Sequence, residues 1–294
     1  MSIICFSGGD KSGKSTLRSE LILALHKKTN FIYPIINDRF TETSWVYGKF
    51  HERQLNFDEY LKQDLRLIDD CMLVYLYCDQ DILEDRFKKT NETDVDLKDY
   101  NKLLQLYETY IDATPLFVVS INTTQPIADC VKEIKLQISQ FEKWPMEDKV
   151  QKIVNVVQAV GKPQLNAIEL TNIKFSFEYL SNRNYSKIIE EELLEYTEIL
   201  VKLQNSIRLK LEYFKNQTLD SRQFVAVSES CISMFHIMKR DNTLEVNMHL
   251  RSCNLRYLKR DCYGAHYIAS KLNKDVFHCD KIKFVINIDS AHVI

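Results

Sequence analysis

The run Gly8-Gly9-Asp10-Lys11-Ser12-Gly13-Lys14-Ser15-Thr16 fits the pattern G-x-x-x-x-G-K-[ST]. Backbone N–H groups of such a loop, together with the positive end of the helix that follows, converge on one anionic site. Gly8, Gly13, Lys14, Ser15 and Thr16 are therefore expected to bind ATP. Lys14 would reach the β- and γ-phosphates, and the Ser15 hydroxyl would ligate Mg²⁺. The alternative is a glycine-rich turn that matches by chance. A second group, Asp38-Arg39-Phe40 with Ser44, Val46 and Tyr47 just beyond, suits an acceptor. Arg39 can hold a phosphate bidentately, while Asp38 can accept a proton or orient Mg²⁺-bound water. A surface ion pair at a turn is the competing reading. A third group, Glu84-Asp85-Arg86-Phe87-Lys88-Lys89, leads into a polar loop from Thr90 to Asp96. Cations there, Arg86 first, would stabilise charge on a transferred phosphoryl group, unless the stretch is a solvated helix end.

The elements that must hold these groups alternate. Ile3-Ile4-Cys5-Phe6 reads as a buried strand, and Leu17 to Leu25 has helical periodicity. Strands are expected at Phe31–Ile36, Met72–Tyr77 and Leu116–Ile121, with Met72–Tyr77 apolar throughout as a buried parallel strand should be. Helices are expected at Phe57–Ile68, Ile82–Lys89, Leu97–Ile111 and Ile127–Phe141. This predicts an α/β, doubly wound parallel sheet, with ligands at the C-terminal ends of its strands. Trp144-Pro145 breaks the pattern, so the domains are expected at 1–143 and 146–294.

Composition narrows the class. A chain of 294 residues, 45% hydrophobic and 27% charged, reads as an ordinary globular protein of two domains. Its formal net charge of −2 offers no basic field for nucleic acid. No apolar run is long enough to cross a bilayer, and the first strand leads directly into the loop without a signal peptide, which predicts a cytoplasmic protein. The eight cysteines include no C-x-x-C pair, so buried thiols or one nucleophile are expected rather than disulfides or zinc.

The first half resembles the thymidylate kinase and deoxynucleoside monophosphate kinase group on three motifs. These are the loop G-x-D-x-S-G-K-S-T, the element Asp38-Arg39-Phe40 with Ser44, and a Val46-Tyr47-Gly48 turn. The basic lid is matched only by Arg86, with Lys88 and Lys89 in place of a further arginine pattern. The resemblance covers residues 1 to about 141. It implies transfer of the ATP γ-phosphate to a pyrimidine deoxynucleoside 5′-monophosphate, with Asp38, Arg39 and Tyr47 at the acceptor.

The second half reads differently. An alternating strand at Leu170–Phe177, a long helical region at Ile188–Phe214 and a strand at Asp220–Val227 come first. A strand through Met238, a hairpin at Lys239–Thr243, a return strand Leu244–Leu250, a helix Asp261–Leu272 and a strand Ile282–Ile288 follow. The expectation is an α+β domain on an antiparallel or mixed sheet. Its motifs resemble thymidylate synthase and the deoxypyrimidine hydroxymethylases. The matching pieces are Asp220-Ser221-Arg222-Gln223, Glu191-Glu192-Leu193-Leu194, Cys231 placed 20 positions before Arg251-Ser252, Asp261, and Ser290-Ala291-His292. That resemblance implies a nucleophilic Cys231, a 5′-phosphate site of Arg222, Arg251 and Ser252, proton handling by Glu192, base reading by Asp261 and a ribose contact by His292. It also implies a homodimer through this domain and, for a catalytic version, methylenetetrahydrofolate as donor. Departures stand at Gln223, Ile232, Asn254, Glu195 and Ile294, and the competing reading of Cys231 is a small buried residue. The pairing of two such halves implies a DNA virus or phage, acting in its host's cytoplasm.

Three functions follow as expectations. One is a kinase whose second half binds a deoxypyrimidine nucleotide. Another is a bifunctional enzyme that also modifies dCMP or dUMP at C5. The third is a non-metabolic phosphate-loop ATPase with a nucleotide-sensing half.

Overall fold

The computed structural model describes residues 3–26, 34–89, 96–164, 167–180, 197–213, 224–227 and 231–293. The chain divides into two compact units, Met1–Trp144 and Pro145–Ile294.

The first unit is built on four parallel strands: β1 (Ile3–Ser7), β2 (Ile35–Asn37), β3 (Cys71–Tyr77) and β4 (Phe117–Asn122). Their order in the sheet is β2-β1-β3-β4. β3 is apolar along its length because both faces are covered, and all but its last residue are buried. The chain leaves β1 through α1 (Lys14–His26) to reach β2 on one side. It then returns through α2 (Thr41–Phe50) and α3 (Phe57–Arg66) to β3 on the other. Right-handed crossovers in opposite directions put their helices on opposite faces. Accordingly α1 packs with α6 (Ile127–Phe141), whereas α2 packs with α3 and with α5 (Tyr100–Ala113). α4 (Gln80–Lys88) follows β3. The strand order therefore reverses between β1 and β3, and their C-terminal ends open the crevice where such sheets bind ligands.

One local expectation changes. Val46-Tyr47-Gly48 is not a turn but the interior of α2. Its Trp45 and Val46 are buried against Tyr110 and its neighbours, and that packing outweighs the glycine's poor helix propensity. Gly48 has a packing reason, since a Cβ there would stand 2.3 Å from Leu55 Cδ1.

The second unit carries a mixed sheet of seven strands, in order β5-β6-β11-β9-β8-β7, with β10 also on β11. The strands are β5 (Lys162–Gln164), β6 (Ala167–Leu180), β7 (Val225–Val227), β8 (Ile232–Arg240), β9 (Thr243–Leu250), β10 (Cys253–Asn254) and β11 (Lys281–Val293). β11 runs antiparallel to β6 and parallel to β9. It is longer than its apolar core predicts because β6 on one side and β10 on the other extend its ladder to His292. In β9 the period of two is complete: Leu244, Val246, Met248 and Leu250 are fully buried, and the residues between them are not. α7 (Met146–Val160), α8 (Thr197–Tyr213) and α9 (Leu258–Leu272) cover the apolar face, where Phe177 and Phe284 stack at 4.9 Å. Among the described residues, no helix is long and apolar enough to cross a membrane.

Candidate functional site

The loop between β1 and α1 is shaped by its glycines. Gly8 has φ of +134°, and a Cβ there would lie 2.5 Å from the Leu76 carbonyl oxygen. Gly9 lies under Tyr100, whose hydroxyl oxygen would be 2.3 Å from an added Cβ. The loop thus holds tightly to β3 and α5 on one side, while Ser15 and Thr16 stay exposed at the start of α1 on the other. Lys14 folds back over the loop, and its Nζ donates to the carbonyls of Gly8 and Gly9 at 2.7 Å each. Burial pulls its pKa down to about 8. Asp10, Glu42 and Asp38 pull it back up, while Arg39 pushes it further down. A tight cradle, a lysine within reach and a hydroxyl at the helix start fit a triphosphate with Mg²⁺.

The residues expected at an acceptor lie at the end of β2. Arg39 is exposed and Asp38 half-buried, and both bear electrostatically on Lys14. Tyr47 reaches back from α2 to donate to Asp10 Oδ1 at 2.9 Å, and the Tyr100 hydroxyl donates to the Asp10 carbonyl at 3.1 Å. The loop's aspartate is thereby tied to α2 and α5.

Two carboxyls that the motifs did not reveal sit beneath this surface. Glu42, in the first turn of α2, is fully buried; its Oε1 accepts from Thr43 Oγ1 at 2.7 Å. Among the described residues, its Oε2 and the nearby Ser7 Oγ at the end of β1 have no hydrogen-bond partner of good geometry. Burial lifts the Glu42 carboxyl to about 7, against the opposing hydrogen bond from Thr43, and Ser7 still pulls it down. Asp64 in α3 accepts from Thr41 at 2.7 Å, Tyr110 at 2.9 Å and Thr114 at 2.6 Å. Burial still holds it up at about 6. The sequence marks Glu42 only as a carboxylate three positions after Arg39.

Arg86, from α4, does not project freely. It donates to the Lys11 carbonyl at 3.0 Å, to Thr123 Oγ1 at 3.1 Å and to the Thr123 carbonyl at 2.7 Å. It bridges the phosphate loop to the segment after β4. Beside it opens a cleft of about 400 Å³, lined by Lys11, Gly13, Thr16, Lys89, Gln125 and Ile127 among others.

In the second unit, Cys231 is exposed rather than buried, and its carbonyl accepts from the Arg251 backbone N–H at 3.0 Å. Arg251 is exposed and Ser252 half-buried just beyond β9. His292 is half-buried, paired across the ladder with Asn254. Asp261 is 3% exposed; the Cys253 thiol contacts its Oδ2 at 3.8 Å, and Arg260 stands 3.9 Å from its Oδ1. The fold thus brings Cys231 and Arg251 together and sets Asp261 in the interior. Glu192 and Arg222 lie outside the described residues. All eight cysteines are free thiols. Among the described residues, no cluster of three or more His, Cys, Asp or Glu is arranged to hold a metal ion.

No protein-family model matches the chain, and no curated protein matches it. The N-terminal half resembles a solved structure, the YorR protein from Bacillus subtilis in complex with phosphorylated GDP. The two are 21% identical, over 47% of this chain and 96% of that chain, with a TM-score of 0.41.

Proposed function

We infer that the first unit, residues 1–143, transfers the γ-phosphoryl group of ATP to a pyrimidine deoxynucleoside 5′-monophosphate. The observation that carries this reading is that Lys14, folded back over the loop, feels the charges of both Arg39 and Asp38. Lys14 is read as the grip on a triphosphate and Arg39 as the grip on a second phosphate. A simple ATPase needs no arginine to bind an acceptor phosphate. Phosphoryl transfer asks little covalent chemistry of the protein; positioning and charge stabilisation supply the rate. Lys14 neutralises the transferring group, Arg39 holds the acceptor phosphate, and Asp38 orients the attacking oxygen. Ser15 would hold Mg²⁺, which supplies charge neutralisation between the phosphates. Arg86 keeps the loop and the cleft wall in register. The pyrimidine preference rests on the motif resemblance of Asp38-Arg39-Phe40, Ser44 and Tyr47. The second unit, residues 146–294, is read as a binding domain for a deoxypyrimidine nucleotide, with Arg251 and Ser252 at its phosphate.

The test is a panel of deoxynucleoside monophosphates, 5-hydroxymethylated pyrimidines included, assayed with ATP for diphosphate formation. Arg39→Ala should raise KM for the monophosphate ten-fold or more through loss of a charge-assisted contact, while ATP affinity holds. An unchanged KM rules out this acceptor site.

A further inference from the structure

Three neighbouring strands of the second unit carry a hydrogen-bonded chain of side chains that phosphoryl transfer does not use. Ser233 Oγ on β8 lies 3.0 Å from His249 Nδ1 on β9. His249 Nε2 lies 2.8 Å from Asp289 Oδ1 on β11. We propose that Ser233, His249 and Asp289 form a second active site, in which Ser233 is the nucleophile toward a small acyl ester.

The protonation pattern follows from the partners. A carboxylate only accepts, so the nitrogen facing Asp289 carries the hydrogen, and Nδ1 keeps a lone pair for the Ser233 hydroxyl. That is the division of labour in a Ser-His-Asp triad, with the two ring nitrogens exchanged. The serine proton has a second acceptor, the His249 carbonyl at 3.1 Å, and only the Nδ1 route activates the oxygen.

The backbone is irregular at both ends of the chain. The β8–β9 register shifts between Ile232 and Met234, which leaves Ser233 as the extra residue beside His249. Asp289 faces Asn172, which takes φ of 60°, and that one pair is missing from an otherwise unbroken β6–β11 ladder. The β9–β11 ladder also ends one residue earlier, at Ile288. Such interruptions re-aim side chains and recur beside active sites. The relay lies on the face opposite Leu244, Val246, Met248 and Leu250, with the His249 side chain 33% and the Asp289 side chain 53% exposed. A hydrogen bond so exposed adds little to stability, and an open face admits an ester.

The step balances without a cofactor. Ser233 Oγ bonds to the carbonyl carbon as its proton passes to Nδ1 and the carbonyl π pair moves to oxygen. Collapse of that adduct expels the alcohol, which takes the proton from the imidazolium. Water then attacks the acyl-serine, giving its proton to Nδ1; the acid leaves and Ser233 regains its hydrogen.

The test uses the full chain without ATP, so it is independent of the kinase reading. p-Nitrophenyl acetate should give a burst of p-nitrophenolate of one equivalent. A fluorophosphonate probe should leave one adduct, mapped by mass spectrometry to Ser233. Turnover should fall by about 10²- to 10⁴-fold in Ser233→Ala and His249→Asn, variants first checked by circular dichroism for a native melt. Asp289→Asn should lose ten-fold or more. The proposal is overturned if the wild-type chain takes no adduct, if the adduct maps to Cys231 or elsewhere, or if a folded Ser233→Ala hydrolyses as fast as wild type.

Discussion

Burial holds the Glu42 carboxyl up at about 7 and the Lys14 ammonium down at about 8, so both groups change charge within reach of neutral pH. For Glu42 the sign is set by linkage. The native state binds its proton more tightly than the unfolded chain, whose carboxyl keeps the ordinary value of 4.5. Stability is therefore greatest below that value and falls as pH rises through about 7. At 1.36 kcal/mol per pH unit, the loss is about 3 kcal/mol. Asp64, raised from 3.8 to about 6, acts in the same direction. Glu42→Gln, a mimic of the protonated acid, should leave urea stability near wild type at pH 4 and raise it by about 3 kcal/mol at pH 8. An equal effect at the two pH values would show that Glu42 does not titrate in the fold. Lys14 supports a kinetic prediction. Lys14→Ala should lower kcat for phosphoryl transfer by about 10³-fold or more, because the transferring charge loses its nearest cation. A coupled ADP assay reads that loss directly, and a variant within ten-fold of wild type would remove Lys14 from the site.

At the scale of elements, Asp64 does for α2, α3 and α5 what the glycines do for the loop. Three hydroxyls, from Thr41, Tyr110 and Thr114, end on its two oxygens. The start of α2, one residue beyond Arg39-Phe40, is pinned through Thr41 to Asp64 of α3. Asp64→Ala would strand three buried donors at a cost of roughly 1–3 kcal/mol each where water cannot replace the carboxyl. Urea denaturation should show a loss of about 3 kcal/mol or more, and KM for the acceptor should rise as α2 loosens. A loss under about 1 kcal/mol would mean that the hydroxyls find water instead. The β3, β4 and α6 segments were legible from their apolar runs and 3.6 periodicity, which are local properties. α2 was not. Its Thr41–Phe50 stretch mixes β-branched, aromatic and glycine residues, and it is helical because Trp45 and Val46 have a buried surface to meet.

At the scale of the whole molecule, the phosphate loop, Arg39 and the cleft all belong to the unit Met1–Trp144. Residues 1–144 expressed alone should therefore melt cooperatively and bind ATP within about three-fold of the full chain, as isothermal titration would measure. A fragment that stays unfolded would show that this unit draws its stability from residues beyond Trp144. Folding of the second unit depends more on distant sequence. β6 pairs with β11 across more than a hundred intervening residues, and such non-local pairing is slow to form. The sequence alone determined the phosphate loop, the direction of the α/β alternation and the period-two face of β9. Each of these depends on residues within one turn or one strand of each other. Only the tertiary structure decided that Glu42 is fully buried and that Tyr47 closes on Asp10. It likewise decided that Ser233, His249 and Asp289 stand in line. The bonded pairs of the relay lie 16 and 40 positions apart, and Tyr47 and Asp10 lie 37 apart. Spacing along a chain carries no information about such contacts until strand order and register are set, because a one-residue slip would turn His249 to the other face.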